Sequence, residues 1–313
     1  MGLRVVNPGV MSMVVDIGRG GFQHIGVTVG GPMDEHAYLW ANRLLGNHFS
    51  SSQIEITWGL FECEIEKPTT LAIAGADLQA EINSTPVEPW STYAVKAGDR
   101  LLFNMPKRGL RAYLAVKGGF SLKRVLGSST AVSRDGLGGL KEDGSKLAHG
   151  DLLPFTPDYD FISHSVEENL IPDYDQPLEL GVTPGYQKDH FSTVELAHFF
   201  SAEYEITQNI DRMGYRLSGP SIQCDLDGIV SEGISYGAIQ IPKDGQPIIL
   251  LRDRQTIGGY PKVGCVNTLD AARLSQRGPG TVVKFKPQDP LKAEGKRMLY
   301  NRFFGLSTPT TGS

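Results

Sequence analysis

The sequence predicts a mainly β protein made of two barrel-like or sandwich-like domains with only a few helices. Short strand-like runs recur along both halves of the chain, at the spacing typical of barrels and sandwiches. The 37 glycines and 19 prolines supply the tight turns that join many short strands. A chain of 313 residues is too long for one ordinary core and fits two domains of about 150 residues each.

Ten segments have the composition of strands, five in each half. They are residues 13–17, 54–58, 71–74, 101–104 and 111–116, then 178–182, 229–231, 238–241, 248–251 and 281–285. Between the two sets, residues 156–177 carry six acidic residues, three prolines and no lysine or arginine. This composition predicts a solvated linker. The predicted domains are residues 1–157 and 177–300, with the linker at 158–176 and a tail at 301–313.

Two segments have helical patterns. In "MDEHAYLWANRLLGN", Asp34 is the predicted N-cap and Gly46 the stop. Its apolar face holds Ala37, Trp40, Ala41, Leu44 and Leu45. In "NTLDAARLSQRGPG", Asn267 or Thr268 is the predicted cap of a shorter helix, and a Gly-Pro-Gly sequence ends it.

Composition excludes several classes of function. A net charge of −5 and a pI near 5.8 argue against a general nucleic-acid or membrane-surface binder. No run approaches the roughly 20 apolar residues of a membrane span, and no secretory signal is present, so we expect a cytoplasmic protein. Cys63, Cys224 and Cys265 lack metal or redox spacing. The histidines show no zinc-binding spacing, and we expect no metal site in this chain.

The first polar cluster is "VVDIGRGGFQHIGVTVGGPMDEHA", in which a predicted strand ends at Asp16. Glycines surround Arg19, and His24 follows. Glycines allow backbone N–H groups to converge on an anion, and an arginine adds a rigid fork of donors. The alternative is a glycine-rich hairpin in which Arg19 forms a salt bridge with Asp16. The segment matches neither the Walker nor the Rossmann pattern.

The second cluster is "SEGISYGAIQIPKDGQPIILLRDRQTIGGYP". A turn at residues 243–245 is predicted to join strands 238–241 and 248–251 into a hairpin. If the second strand continues, its alternation puts Arg252, Arg254 and Thr256 on one face and Asp253 and Gln255 on the other. Two arginines beside a Gly-Gly pair form a cradle for a carboxylate or phosphate. The alternative is an ion-paired barrel rim in which Asp253 neutralises one guanidinium.

Seven segments of this chain resemble the allophanate-hydrolase-subunit-2 family, over residues 6–286. They are "DIGRGGFQHIGVTVGGPMDEHAYLWANRLLGN", "EITWG", "IAGAD", "LRAYLAVKGGF", "VLGSSTA", "RMGYRLSG" and "SEGISYGAIQIPKDGQPIILLRDRQTIGGYPKVGCV". The family includes the C subunit of the bacterial 5-oxoprolinase, the KipI antagonist KipA, and part of the urea carboxylase carboxyltransferase domain. The resemblance implies tandem cyclophilin-like β-barrels with a few short helices.

The resemblance also implies a function and partners. The expected function is that of the C subunit of an ATP-dependent 5-oxoprolinase, which opens 5-oxo-L-proline to L-glutamate with the A subunit of that enzyme and a KipI-like B subunit, and which is inactive alone. ATP, with Mg²⁺, is expected to be shared with a partner subunit. One alternative is a KipA-like antagonist of a KipI-type kinase inhibitor. Another is the carboxyltransferase component of a urea carboxylase-like system, which requires biotin on another protein, because this chain has no Met-Lys-Met biotinylation motif.

With this resemblance, the site interpretation is favoured over the rim interpretation. The predicted catalytic residues are Arg252, Arg254 and Gln255. The predicted ligand-binding residues are Gln240, Asp253, Thr256, Gly258, Gly259 and Tyr260, with Asp16, Arg19 and His24 near the same pocket or at a contact between subunits.

Overall fold

The computed structural model describes residues 2–161, 163–226 and 228–306. The chain divides into two compact units. The first takes the residues up to Gly20 together with Val29–Asp175, and the second takes Gly21–Thr28 together with the chain from Gln176 onward. Both units are built from short strands with few helices, so the predicted mainly β fold class is confirmed.

The described part of the first unit contains eleven strands and one α-helix. The strands are β1 (Gly2–Pro8), β2 (Met11–Val15), β3 (Gln53–Thr57), β4 (Phe61–Ile65), β5 (Thr69–Asp77), β6 (Ala80–Ile82), β7 (Thr85–Pro86), β8 (Ser91–Val95), β9 (Arg100–Phe103), β10 (Arg108–Val116) and β11 (Leu152–Pro154), and the helix is α1 (Glu35–Leu44). They form a six-stranded sheet in the order β11-β1-β4-β9-β6-β7 and a five-stranded sheet in the order β2-β3-β10-β5-β8. All five strands predicted in this half overlap an observed strand.

One apolar core fills the first unit. Val5, Phe61 and Phe103 of the six-stranded sheet and Ile54 and Leu114 of the five-stranded sheet belong to one buried cluster. The strands alternate buried and partly exposed residues where one face meets solvent, as in the BiBiB pattern of β4, and β3 is buried throughout. Because both sheets contribute to this cluster, the core consists of side chains from two sheets rather than from one closed barrel.

Helix α1 begins where the sequence predicts. The side chain of Asp34 accepts hydrogen bonds from the backbone N–H groups of His36 and Ala37, at 3.0 and 3.1 Å. These bonds satisfy two of the donors that a helix N-terminus leaves unpaired. The predicted apolar face is buried. Gly46, at φ +62°, follows the helix and accommodates the left-handed turn.

Most described residues of the acidic segment are exposed, but two apolar residues anchor it to the first unit. Val166 and Tyr174 are buried, and the Tyr174 hydroxyl donates to Asp34 Oδ2 at 2.9 Å. The backbone N–H of Thr92 donates to the carbonyl of His164 at 2.9 Å. Apolar side chains between the charges therefore anchor this segment, and the division between the units follows Asp175.

The described part of the second unit contains nine strands and three α-helices. The strands are β12 (Leu178–Pro184), β13 (Glu203–Ile210), β14 (Gly214–Ser218), β15 (Glu232–Gly233), β16 (Ala238–Gln240), β17 (Ile248–Leu250), β18 (Ile257–Gly258), β19 (Lys262–Val266) and β20 (Val282–Pro287), and the helices are α2 (Thr193–Ser201), α3 (Thr268–Leu274) and α4 (Pro290–Phe304). Seven strands close a barrel in the order β12-β19-β16-β17-β14-β13-β20, and β15 pairs with β18.

Most predicted elements of the second half are present. The hairpin of β16 and β17 is confirmed, and Asn267 caps α3 by accepting from the N–H of Asp270. The strand predicted at 229–231 is wrong, since the described chain is extended only further on, in the two-residue β15. The predicted tail is partly helical, because α4 continues to Phe304, and residues 307–313 lie outside the described residues. None of the helices that the structure describes is long and apolar enough to cross a membrane.

Candidate functional site

The predicted ligand residues of the second half lie on strands β16 and β18 and on the chain around them, all within the second unit. Strand β15 pairs with β18, so Glu232 lies opposite Gly258. Strand β16 pairs with β19, and Gln240 is the partner of Lys262. We call the region formed by residues 232–240 and 251–265 the barrel mouth. It includes two connections between strands, 234–237 and 251–256, and the second of these carries five of the predicted site residues.

Residues 252–254 form a turn, so the predicted strand alternation across Arg252, Arg254 and Thr256 is wrong. Strand β17 ends at Leu250, and the N–H of Arg254 donates back to the carbonyl of Leu251 at 3.4 Å. A chain that folds back in this way loses the two-residue period of a strand.

Asp253 pairs with Arg212 inside the barrel mouth. Its two carboxylate oxygens accept from Arg212 Nε at 2.8 Å and from Nη2 at 2.9 Å, and both residues are buried. Such a two-point pair is strong and geometrically specific. The structure thus gives Asp253 a bracing role, and a direct role of Asp253 in ligand binding stays a prediction.

The guanidinium groups of Arg252 and Arg254 share the ring of Tyr236. Their Cζ atoms lie 4.3 and 5.9 Å from the ring centroid. Arg254 is 6% exposed and donates from Nε to the carbonyl of Ile234 and from Nη1 to that of Leu251, both at 3.1 Å. Burial, and then the charge of Arg252, lower the pKa of Arg254 to about 10. Two positive charges held this close attract an anion.

Gln240, Gln255 and Gly258 converge at the barrel mouth. A Cβ atom added to Gly258 would lie 2.8 Å from Gln240 Nε2 and 3.6 Å from Gln255 Nε2, so glycine allows these amides to approach the backbone. Gln240 is 2% exposed, and within the described residues its Nε2 has no hydrogen-bond partner. A buried donor without a partner is costly and marks a place for an acceptor from a ligand.

The remaining predicted residues of this stretch differ in exposure. Thr256 is buried, and its carbonyl accepts from the N–H of Ile234 at 3.0 Å. The Gly259 carbonyl accepts from the N–H of Ile229 at 2.9 Å. Tyr260 is 45% exposed. The structure thus shows backbone pairing at Thr256 and Gly259, and the ligand roles of all three stay predictions.

Sequence reasoning missed four residues of the barrel mouth and its wall. They are Gln187, Glu232, Lys262 and Cys265. The Lys262 ammonium pairs with Glu232, and Gln187 Nε2 donates to Glu232 Oε1 at 2.8 Å. Hydrogen bonds, first from Lys262 and then from Gln187, lower the pKa of the Glu232 carboxyl. The sequence contains a signal for one of them, because Lys262 is the only charged residue of the otherwise small and apolar strand "KVGCV", and a charged residue in a buried strand indicates a specific partner.

Asp16 and Arg19 lie in the first unit and are held by internal hydrogen bonds. Asp16 is 1% exposed, and its carboxylate accepts from the side chains of Ser128, Ser129 and Thr130. Arg19 Nη2 donates to the carbonyl of Thr130 at 2.6 Å. Both side chains thus brace the 128–130 segment, and a contact with ligand stays a prediction.

His24 lies in the second unit, on an exposed 3₁₀ turn at Gln23–Ile25. The same segment ends at Thr28, whose hydroxyl donates to the backbone carbonyl of Arg254 at 3.3 Å. Across residues 2–161, 163–226 and 228–306 there is no cluster of three or more His, Cys, Asp or Glu side chains that could hold a metal ion.

Comparison with known proteins identifies one family model that matches this chain and two kinds of related protein. The family model described as carboxyltransferase domain, subdomain A and B, matches residues 25–287. The C subunit of 5-oxoprolinase from Escherichia coli is 32% identical over 95% of this chain and 96% of its own length, and that from Haemophilus influenzae is 31% identical over 92% of both.

The second kind of relative is much longer than this chain. The urea amidolyase of Saccharomyces cerevisiae is 29% identical over 95% of this chain, which corresponds to 17% of the relative. The crystal structure of the Kluyveromyces lactis urea amidolyase superimposes with a TM-score of 0.90 at 26% identity, over 100% of this chain and 20% of the larger one.

Proposed function

This chain belongs to the family of carboxyltransferase domains, subdomain A and B, and on that premise we propose that it is the C subunit of an ATP-dependent 5-oxoprolinase. In this proposal it opens 5-oxo-L-proline to L-glutamate together with the A subunit of the enzyme and a KipI-like B subunit, and it is inactive alone. The observation that carries the proposal is the end-to-end match to two relatives of that name, which covers 96% and 92% of their lengths.

The chemistry of the barrel mouth supports the proposal. A lactam is an unreactive amide, and coupling to ATP supplies the driving force for its hydrolysis. Phosphorylation of the carbonyl oxygen would release ADP, after which one water attacks the carbonyl carbon and the ring C–N bond breaks, which leaves an acyl phosphate and a free amine. A second water would then hydrolyse the acyl phosphate and release phosphate. Negative charge then develops on phosphoryl and carbonyl oxygens, which fixed donors stabilise.

The donors at the barrel mouth fit such oxygens. Arg252 would bind a phosphate or carboxylate, and Arg254 would hold that site in place through its two carbonyl contacts. Gln240 Nε2, which has no partner within the described residues, and the neighbouring amide of Gln255 would orient the ligand beside Gly258. We place Mg²⁺ with ATP, at a position shared with a partner subunit.

The test is reconstitution with the cognate A and B subunits. We expect 5-oxoproline-dependent ATP hydrolysis from the three-protein mixture and none from mixtures that lack this chain. Co-purification of this chain with the KipI-like B subunit, at moderate salt, should accompany the activity. Equal turnover with and without this chain would refute the proposal.

A second candidate is the carboxyltransferase component of a urea carboxylase-like system. The observation that favours it is the superposition of the entire chain on the urea amidolyase structure. It requires biotin on a separate carrier protein. Transfer of a carboxyl group from carboxybiotin to urea by this chain, with no 5-oxoproline-dependent ATP hydrolysis, would establish it in place of the first candidate.

A further inference from the structure

A cavity of about 480 Å³ opens beside the barrel mouth, entirely within the second unit. Its wall is formed by residues 183–186, by the Lys262 to Cys265 strand and by the residues around Glu232. Ala238, Pro184 and Cys265 make one side of it apolar. This volume lies within the range of small-molecule sites and exceeds that of a single five-membered ring, so a second substituent also has room.

The polar end of this cavity offers a donor and an acceptor side by side. Lys262 is 9% exposed, and its ammonium pairs with the Glu232 carboxylate. Lysine has three N–H donors and a carboxylate has four acceptor positions, so both groups keep capacity after pairing with each other. Gln187 donates to the same carboxylate at 2.8 Å, which fixes its orientation.

Two amide atoms near this ion pair have hydrogen-bonding capacity that the described chain does not use. Gln187 Oε1 is a buried acceptor and Gln240 Nε2 a buried donor, and neither has a partner within the described residues. Gln240 is the strand partner of Lys262. The Lys262–Glu232 salt bridge thus has beside it a donor, Gln240 Nε2, and an acceptor, Gln187 Oε1, that the described residues leave unused. Buried polar atoms normally have hydrogen-bond partners, so these two indicate room for a polar ligand.

We propose that the Lys262–Glu232 pair recognises the cis-amide edge of the substrate, with the ammonium donating to the carbonyl oxygen and the carboxylate accepting from the adjacent N–H. The proposal rests on the proposed function and names its specificity-determining residues. A lactam presents C=O and N–H on one edge, and so does a ureido group. The apolar wall at Ala238 and Cys265 packs against the ring carbons.

A charge argument sets the orientation of the ligand. Arg254 Nε donates to the carbonyl of Ile234 at 3.1 Å and Cys265 Sγ donates to that of Tyr236 at 3.2 Å, so the guanidinium and the Cys265 wall of the cavity adjoin the same 234–236 connection. A ligand whose amide edge meets Lys262 and Glu232 therefore extends its anionic substituent towards Arg254. The site thus takes a small cyclic amide or ureido compound that carries a carboxylate.

The experiment compares two ligands that differ in one atom. 5-Oxoproline and 5-oxotetrahydrofuran-2-carboxylate share the carbonyl and the carboxylate, but the second has a ring oxygen in place of N–H. Affinities are measured by calorimetric titration on the full chain, alone and in complex with the cognate A and B subunits. We expect the lactam to bind at least about tenfold more tightly than the lactone, since only the lactam has an N–H that can donate to the charged Glu232 carboxylate.

Glu232→Leu should reduce this preference to within about twofold, because the acceptor is gone. The matched control is Glu179→Leu, which removes another lysine-paired carboxylate of the same unit, at an exposed position beside Lys286, and which should retain the full preference. If Glu232→Leu does not fold, Lys262→Met gives the complementary test. That variant should lose the discrimination of 5-oxoproline against proline, which lacks the carbonyl.

The outcomes separate the inference from the proposed function. An unchanged preference in Glu232→Leu, or unchanged discrimination in Lys262→Met, would overturn the inference even if the three-protein mixture hydrolyses 5-oxoproline. Absence of saturable binding of 5-oxoproline to the wild-type chain, alone and in the complex, would overturn it too. A Glu232-dependent preference without turnover would support the inference and count against the 5-oxoprolinase proposal.

Discussion

Replacing Arg254 with lysine separates bracing from ligand binding at the barrel mouth. The arginine fork spans two backbone carbonyls, those of Ile234 and Leu251, each at 3.1 Å. A lysine ammonium has one nitrogen and reaches only one of them, so the other is left buried without its partner. An unpaired buried acceptor costs about 1–3 kcal/mol, and we expect Arg254→Lys to lower the free energy of unfolding by about 2 kcal/mol.

For a unit of roughly 150 residues, that loss corresponds to a fall in Tm of about 4–8 °C. Arg252→Lys is the matched variant. Its side chain is only partly buried, and an ammonium retains the attraction to the Tyr236 ring, so the cost in stability should stay below about 1 kcal/mol. Loss of two-point anion binding should nevertheless lower kcat/KM in the reconstituted assay by about tenfold to a hundredfold.

A paired thermal melt and activity assay on both variants checks this reasoning. Wild-type Tm for Arg254→Lys would show that its carbonyl contacts contribute nothing measurable, which refutes the bracing role. If Arg252→Lys has full activity and a wild-type Tm, Arg252 does not bind the ligand. The 252–254 turn would then be an ion-paired rim of the barrel.

Two further predictions use other buried groups of the chain. Asp253→Ala leaves Arg212 buried without its two-point partner and should lower the free energy of unfolding, measured by chemical denaturation, by about 3–5 kcal/mol. The double variant Asp253→Ala, Arg212→Leu should lose less of this free energy, because no buried charge is left without a partner. Equal losses in the single and the double variant would refute the pairing. Burial raises the pKa of the Cys265 thiol to about 11, so at pH 8 only about one thiolate in a thousand is available to a thiol reagent. Burial raises the pKa of the Cys63 and Cys224 thiols as well, but Cys63 is fully buried whereas Cys224 is only partly buried. The native chain should therefore react rapidly at Cys224 alone and at all three cysteines after unfolding, and rapid labelling of a Cys224→Ser variant would contradict this.

Local sequence signals predicted much of the fold. The cap at Asp34 and the hairpin around residues 243–245 follow from side-chain chemistry within a few residues, and both are present. The prediction of a strand at 229–231 was wrong because a short apolar run without tertiary context also fits an irregular segment. The acidic segment is mostly exposed, as its charges indicate, but those charges gave no sign that Val166 and Tyr174 would anchor it.

The sequence indicated which residues lie together, but not how they pair, and their ligand roles stay predictions. Glycines and arginines in one stretch pointed to the barrel mouth, and Gln240, Gln255 and Gly258 do converge there. Sequence spacing could not show that Asp253 would pair with Arg212, because these residues meet only when the barrel closes. The same holds for Lys262 and Glu232, which lie on different strand pairs.

The membership of Gly21–Thr28 in the second unit has a consequence for how the chain folds. Thr28 and Arg254 are separated by 226 positions in the sequence, yet the hydroxyl of one donates to the carbonyl of the other. Contacts of such long range close late, because the loop entropy must be overcome before they contribute. During synthesis this segment leaves the ribosome long before its partner exists, and it docks only when almost the whole chain has been made. A fragment that begins at Gln176 would form its barrel without that segment, and the backbone of Arg254 would lack the hydroxyl that Thr28 supplies.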